Sequence, residues 1–174
     1  MKYEFTGLEK QSNGRTLRQI RRLSDGMLGG WIEAEANLSH LGDCFVYDNA
    51  EVFGNAWVSG NAWVLGDARV FGDARVSGNA RVFGYAKVYG NAEVYGNAGV
   101  FSNACVYGNA QVYDNALVFG DAKVSGNAHV LGNAEVYGNA QVNGNACVFG
   151  NAWVYGNAEV YDNACVLGND RING

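Results

Sequence analysis

The sequence predicts an all-β fold, a single-stranded parallel β-solenoid with about 18 residues in each coil. Valine occupies every sixth position from Val46 to Val166, twenty-one times without a gap, and Ile172 keeps the spacing. Alanine lies two positions before nearly all of these valines. Asparagine or aspartate precedes that alanine in every repeat but one, where Tyr85 stands instead. A short period kept over most of a chain is typical of stacked structural repeats.

The repeated unit, G-N-A-x-V-x, explains how one coil forms. Side chains alternate between the two faces of an extended strand, so alanine and valine point inward and both x residues point outward. The glycine-asparagine pair turns the chain, because glycine adopts positive φ freely. Three such sides close a triangular coil, and the run from 46 to 172 holds seven coils. Asparagines spaced 18 apart are expected to form a hydrogen-bonded ladder at one corner: Asn61, Asn79, Asn97, Asn115, Asn133, Asn151 and Asn169.

Residues 1–42 follow another pattern and are predicted to be a hairpin cap with an irregular first coil, ahead of the repeats at 43–174. Strands are expected at 2–6 and 16–23, around a turn at 11–14 that contains asparagine and glycine. The hexad pattern is expected to begin with Ile32, Ala36 and Leu38 pointing inward. Two extra residues then precede Val46.

Charge and composition argue against several functions. The net charge is −5 and is concentrated in the repeats, and an acidic solenoid repels phosphate backbones, so no nucleic-acid partner is expected. The sequence has no apolar run of the roughly 18 residues that a membrane helix needs, and its start lacks the apolar stretch of a signal peptide. We therefore expect no membrane association and a cytoplasmic location, where the four cysteines fit reduced thiols. Four arginines of the predicted hairpin suggest either an anion site or a charged cap edge, and we favour the edge: Arg15, Arg18, Arg21 and Arg22.

The tandem hexads resemble the hexapeptide-repeat superfamily, whose fold is a left-handed parallel β-helix. Within residues 17–50 the sequence also resembles bacterial YdcK-like proteins, which are classed as acetyltransferases of unknown activity. That resemblance is carried by Leu17-Arg18-Gln19-Ile20, Ser24-Asp25-Gly26, Gly29-Gly30-Trp31-Ile32, Asn37-Leu38-Ser39-His40, Gly42-Asp43-Cys44 and Val46-Tyr47-Asp48-Asn49-Ala50. It implies acyl transfer from acetyl-coenzyme A, which in hexapeptide acyltransferases lies between subunits beside a histidine and a projecting loop.

Few residues in the chain have the character that this chemistry needs. The two histidines are His40 and His129, and no loop interrupts the hexads from 46 to 172. We interpret His129 as a surface residue and His40 as a cap residue, and keep both as the catalytic candidates. No metal site is expected, because two histidines about five coils apart cannot share a zinc ion. Cys147 and Cys165 lie 18 apart, so they form either a redox pair or, as we favour, two separate thiols.

The position after the valine carries the strongest outward pattern. Every eighteenth residue there forms an uninterrupted apolar column, which either stabilises the coils by stacking or marks an interface: Tyr47, Leu65, Phe83, Phe101, Phe119, Tyr137 and Tyr155. We expect an interface and hence a homo-oligomer, either a dimer or a trimer. Trp57, Trp63 and Trp153 also point outward, and the first two are expected to be covered by the hairpin or by a partner.

The sequence thus predicts a rigid, non-catalytic scaffold, acting as a protein-binding or self-assembly module without a cofactor. The alternative is a hexapeptide-repeat acyltransferase that uses acetyl-coenzyme A at a subunit interface near His129 or His40. The sequence names no substrate or ligand, and it does not decide between a dimer and a trimer.

Overall fold

Very short strands, one on each side of every coil, build most of the protein in the computed structural model, which describes all 174 residues. They stack in register into three parallel sheets, which we call the first, second and third faces. The first face contains β3 (Leu28–Ile32) and then Glu51–Val52, Arg69–Val70, Lys87–Val88, Cys105–Val106, Lys123–Val124, Gln141–Val142 and Glu159–Val160. The second face contains Trp57–Val58, Arg75–Val76, Glu93–Val94, Gln111–Val112, His129–Val130, Cys147–Val148 and Cys165–Val166. The third face contains Phe45–Val46, Trp63–Val64, Arg81–Val82, Gly99–Val100, Leu117–Val118, Glu135–Val136, Trp153–Tyr155 and Arg171–Asn173.

The interior of the solenoid follows directly from the hexad. The inward valines from Val46 to Val154, and nearly all of the alanines between them, have no solvent-accessible surface. They form one cluster of 46 buried residues that runs through every coil. Successive coils pair with an offset of 18 residues, as in Val82 opposite Val100. The predicted parallel β-solenoid with 18 residues per coil is therefore confirmed.

The corners depend on glycine for two reasons. Gly78 has φ +67°, and a Cβ atom placed on it would lie 2.8 Å from the carbonyl oxygen of Gly96 in the next coil. Positive φ and close stacking of backbones together exclude most side chains. The predicted asparagine ladder is confirmed, because each side-chain amide from Asn61 to Asn151 donates to the asparagine 18 residues further on, at 2.9–3.2 Å.

The cap is the predicted hairpin, although its strands differ from the expected ranges. β1 (Tyr3–Ser12) and β2 (Arg15–Arg22) pair antiparallel around Asn13 and Gly14, both at positive φ, as a tight hairpin turn requires. β2 pairs antiparallel with β3, and β3 pairs parallel with Glu51–Val52. The hairpin therefore extends the first face and does not fold back over the second or third. Trp57 and Trp63 remain 44% and 38% exposed, so the expectation that the hairpin covers them is wrong.

The first coil contains one further difference from the prediction. Ile32 and Leu38 are buried as expected, and Leu38 pairs with Val58 across the 20-residue offset that the two extra residues create. Ala36, however, lies in a 3₁₀ turn, Glu35–Asn37, and is exposed. Asn37 is buried in its place, and its side-chain amide donates to the carbonyls of Gly54 and Ala56. A polar side chain can point inward here because both acceptors belong to the next coil. With this coil, eight coils stack along the axis.

The structure has no helix long and apolar enough to cross a membrane.

Candidate functional site

The outward side of the third face consists of two columns of side chains, one on each side of the inward valines. The trailing column follows the valines and is the apolar series predicted from the sequence: Tyr47, Leu65, Phe83, Phe101, Phe119, Tyr137 and Tyr155. The leading column precedes them: Phe45, Trp63, Arg81, Gly99, Leu117, Glu135, Trp153 and Arg171. The strand pairings place consecutive members of each column on neighbouring coils.

The trailing column is a continuous stack of rings over five coils. Phe83, Phe101, Phe119, Tyr137 and Tyr155 lie face to face, with centroids 4.8–5.3 Å apart and planes within 10° of parallel. Each ring covers the faces of its neighbours, so every member of the column is only partly exposed. Stacking therefore stabilises the coils, and the ring edges still form a flat apolar strip on the surface. No observation yet tests whether that strip is also an interface.

The centre of the leading column carries no charge. Gly99 and Leu117 lie between Arg81 and Glu135, and Leu117 leans over the glycine, since a Cβ on Gly99 would lie 3.0 Å from Leu117 Cδ2. Beside the glycine is an open hollow of about 320 Å³, bounded by Arg81, Phe83 and Leu117 among others. Neither Arg81 nor Glu135 forms an ion pair or a side-chain hydrogen bond within the chain. The third face thus combines an apolar centre with two charges that have no internal partner.

The other two faces have shorter ring stacks. On the first face Phe53, Phe71, Tyr89 and Tyr107 stack at 4.9–5.1 Å, and the column then changes to Ser125. Burial in this stack raises the pKa of the Tyr89 hydroxyl. On the second face only Tyr95 and Tyr113 stack. The first face also carries charges along its strands: Glu51, Arg69, Lys87, Lys123 and Glu159.

His40 lies at the junction between the cap and the coils. Its ring stacks on Tyr3 with centroids 4.3 Å apart, and its Nδ1 accepts a hydrogen bond from the backbone N–H of Lys2 at 3.2 Å. Its Nε2 is buried without a partner in the protein. Burial raises the pKa of the Tyr3 hydroxyl, which donates to the carbonyl of Leu38 at 2.9 Å. These contacts give His40 a structural role in holding β1 against the first coil.

A cavity of about 530 Å³ lies next to His40 and is lined on one side by Tyr47 and Trp63. Its polar wall includes Lys2, whose ammonium group is 3.0 Å from the buried Sγ of Cys44. Arg22 also lines it. Sequence analysis identified His40 but missed Lys2 and Cys44 as its neighbours, because the cap brings them together over 38 and 42 residues of chain.

The four arginines of the hairpin are all engaged with carboxylates, so the anion-site interpretation has no free cation to support it. Their ion pairs are Arg15 with Glu33, Arg18 with Glu9, Arg21 with Glu4 and Arg22 with Asp25. The Arg22 guanidinium lowers the pKa of Asp25 to about 2. The cap edge is therefore a set of exposed ion pairs.

His129 lies on the second face, in register with Gln111 and Cys147. Its ring meets the edge of Tyr113 at 6.2 Å, and its nitrogen atoms have no hydrogen-bond partner. His40 and His129 are not brought together. Cys147 and Cys165 are neighbours in register and both are free thiols. Burial, followed by the nearby Cys165, raises the pKa of the Cys147 thiol. The structure contains no cluster of three or more metal-binding side chains.

Eight stacked coils of 18 residues define the chain as a hexapeptide-repeat β-solenoid. A family model described as the YdcK beta solenoid repeat matches residues 74–90 and 110–126. Both matches lie in the regular coils, outside the segment at 17–50 where the sequence first suggested the resemblance. Together, the fold and the matched repeats place the chain in the hexapeptide-repeat, YdcK-like family of β-solenoids. No curated protein matches the chain.

Proposed function

We propose that the protein is a rigid, non-catalytic β-solenoid scaffold that associates with copies of itself through its third face. The observation that carries this proposal is the uncharged centre of that face. Between Arg81 and Glu135 the leading column contains only Gly99 and Leu117, and the trailing column contains no charged side chain at all. A contiguous apolar surface of this kind usually marks an interaction site.

Two further features support a scaffold. The interior is continuous from the first coil to the last, and every coil is hydrogen-bonded to the next, so the rod has no internal hinge. The hexads from 46 to 172 are unbroken, and they leave no projecting loop that encloses a substrate away from water. The flat outward faces suit binding to another flat surface better than binding a small molecule.

The test is the mass of the protein in solution, measured by size exclusion with light scattering over a range of concentrations. We expect a species heavier than the 18.6 kDa chain that dissociates on dilution. Phe101→Glu places a charge in the middle of the third-face stack, and we expect a monomer with an unchanged circular dichroism spectrum. Tyr89→Glu is the matched control, because it places the same charge in the middle of the first-face stack; we expect it to associate as the wild type does. A wild-type protein that stays monomeric at all concentrations overturns the proposal.

The cavity beside His40 favours one alternative function, acyl transfer. A buried imidazole nitrogen without a partner, next to a cavity lined by Lys2 and Arg22, is an arrangement that an acyl donor with phosphate groups fits. Calorimetric titration with acetyl-coenzyme A tests it. Saturable binding at one site per chain that is lost in Arg22→Ala supports the alternative and overturns a purely structural scaffold. The same heat from wild type and variant contradicts a site in this cavity.

A further inference from the structure

The leading column of the third face reads as a series of complementary pairs about its own midpoint. The midpoint lies between Gly99 and Leu117, a residue without a side chain and a large aliphatic one. One coil outward on each side, Arg81 is matched by Glu135. The next pair out is Trp63 and Trp153. Small against large, positive against negative and ring against ring are the pairings that two contacting surfaces require.

A two-fold axis turns this order into an interface. When two copies pack face to face with their solenoid axes antiparallel, the axis lies in the plane of the faces and runs along the strands. It reverses the order of the coils and keeps each position along the strand. The leading column then faces the leading column of the second copy, and the trailing column faces the trailing column. In such an isologous contact each residue meets the symmetry-related position of its partner.

We propose that the protein forms an antiparallel face-to-face dimer about a two-fold axis between the coils of Gly99 and Leu117. This inference rests on the proposed self-association and specifies its geometry. At the axis, Leu117 of each copy faces Gly99 of the other, and the missing side chain of the glycine leaves room for the leucine. Two large residues there would hold the sheets apart, whereas a leucine against a glycine lets two faces approach to the roughly 10 Å that packed sheets adopt.

The charges on either side of the centre fit the same axis. Arg81 of each copy faces Glu135 of the other, so that two symmetric ion pairs flank the apolar centre. Arg81 lies over Trp63, 5.0 Å from the ring centroid, and its guanidinium group makes no ion pair in its own chain. A parallel dimer instead sets the leading column against the trailing one. It places Arg81 opposite Phe83 and leaves both charges without partners, at a desolvation cost.

The rest of the face agrees with this arrangement over six coils, from Trp63 to Trp153. In the trailing column Phe101 faces Phe119 of the second copy, and the outer positions set other apolar side chains against one another. Six coils at about 4.8 Å span roughly 29 Å. The outermost pair does not take part, because Phe45 is buried and the Arg22 guanidinium lies 5.3 Å from its ring.

Charge reversal tests the pairing. Arg81→Glu alone sets carboxylates against each other in both ion pairs, and Glu135→Arg alone sets guanidinium groups against each other. We expect each to raise the dimer dissociation constant about tenfold or more. Mixed one to one, the two variants form a heterodimer in which both ion pairs are restored with opposite polarity. We expect this heterodimer to dissociate within a few-fold of the wild-type constant, as measured by light scattering and by native mass spectrometry of the mixture.

Matched controls exclude a general effect of net charge. Lys87→Glu and Glu159→Arg make the same changes in charge on the first face, and we expect both to dimerise as the wild type does. If a reversed variant loses the wild-type circular dichroism spectrum, Arg81→Ala, Glu135→Ala and their combination replace it in a double-mutant cycle. Zero coupling between the two positions then overturns the proposal.

The outcomes separate this inference from the proposed function. A monomeric wild type refutes both. A wild type that is a trimer, or a dimer whose dissociation constant is unchanged by either reversal or is not recovered by mixing, overturns the antiparallel geometry and leaves self-association standing. Loss of the dimer in each single variant, with recovery only in the mixture, supports the arrangement.

Discussion

The third and first faces are built from the same hexad and differ almost entirely on the outside. Both bury valine and alanine completely, and both carry a stack of four or more rings beside the valines. On the first face, however, charged side chains run along the strands and the cap extends the sheet, so that its ions find partners within the chain. On the third face the centre is uncharged, and Arg81 and Glu135 have no such partners. The repeat therefore determines stability on every face, and the residues outside it determine which face interacts.

The largest effect should be the same on both faces, because the interior does not distinguish them. Val100→Asp on the third face and Val106→Asp on the first each place a carboxylate where no solvent reaches. We expect each to lower the free energy of unfolding by about 4 kcal/mol or more, measured by urea denaturation. Two changes that differ by more than about 1 kcal/mol would contradict the view that all three sides of a coil contribute alike.

A smaller effect should separate the faces by their response to acid. Burial alone raises the pKa of Glu51, but hydrogen bonds from Lys10 and Ser12 and the charge of Arg69 outweigh it, so that the pKa lies below its usual value. Because the pKa is lower in the folded state, the stability that Glu51 contributes is present above its unfolded pKa. It is lost as the pH falls through the folded value.

We therefore expect the wild type to lose stability below about pH 4.5 and Glu51→Gln to lose less over the same range. At pH 7 the same substitution should cost about 1–3 kcal/mol, since it leaves the Lys10 ammonium without its counter-charge. Glu135→Gln is the third-face control, and in the monomer we expect neither effect. Parallel stability curves for wild type and Glu51→Gln between pH 3 and 7 would contradict the assignment.

The smallest effect concerns the stacked rings. Phe101→Ala and Tyr89→Ala each remove a ring that stacks on two neighbours. We expect each to lower the free energy of unfolding of the monomer by about 1–2 kcal/mol. Only Phe101→Ala should also weaken association. Denaturation at two protein concentrations distinguishes the two contributions, because association makes the midpoint depend on concentration. Equal concentration dependence in both variants would contradict a special role for the third face.

Much of the candidate site could be found in the sequence. Reading every eighteenth residue gives the trailing column in full, and the same reading one position before each valine yields Gly99 between Arg81 and Leu117. The pairing of that leading column about its midpoint was missed because sequence analysis read only the apolar residues after the valines. No reading of period could have placed Lys2 and Cys44 beside His40, since the cap is not part of the repeat.

The sequence by itself determined the coil, its length and its interior. A six-residue period leaves valine no other place than the inside of a three-sided coil, and it places each asparagine over the next. The tertiary structure alone decided where the period ends. It turned Ala36 outward and buried Asn37, because two carbonyls of the next coil accept hydrogen bonds from that amide. It also set the hairpin on the edge of the first face and left the third face open, because the backbone groups of β3 offered a pairing edge that aperiodic residues could meet only once the coil had formed.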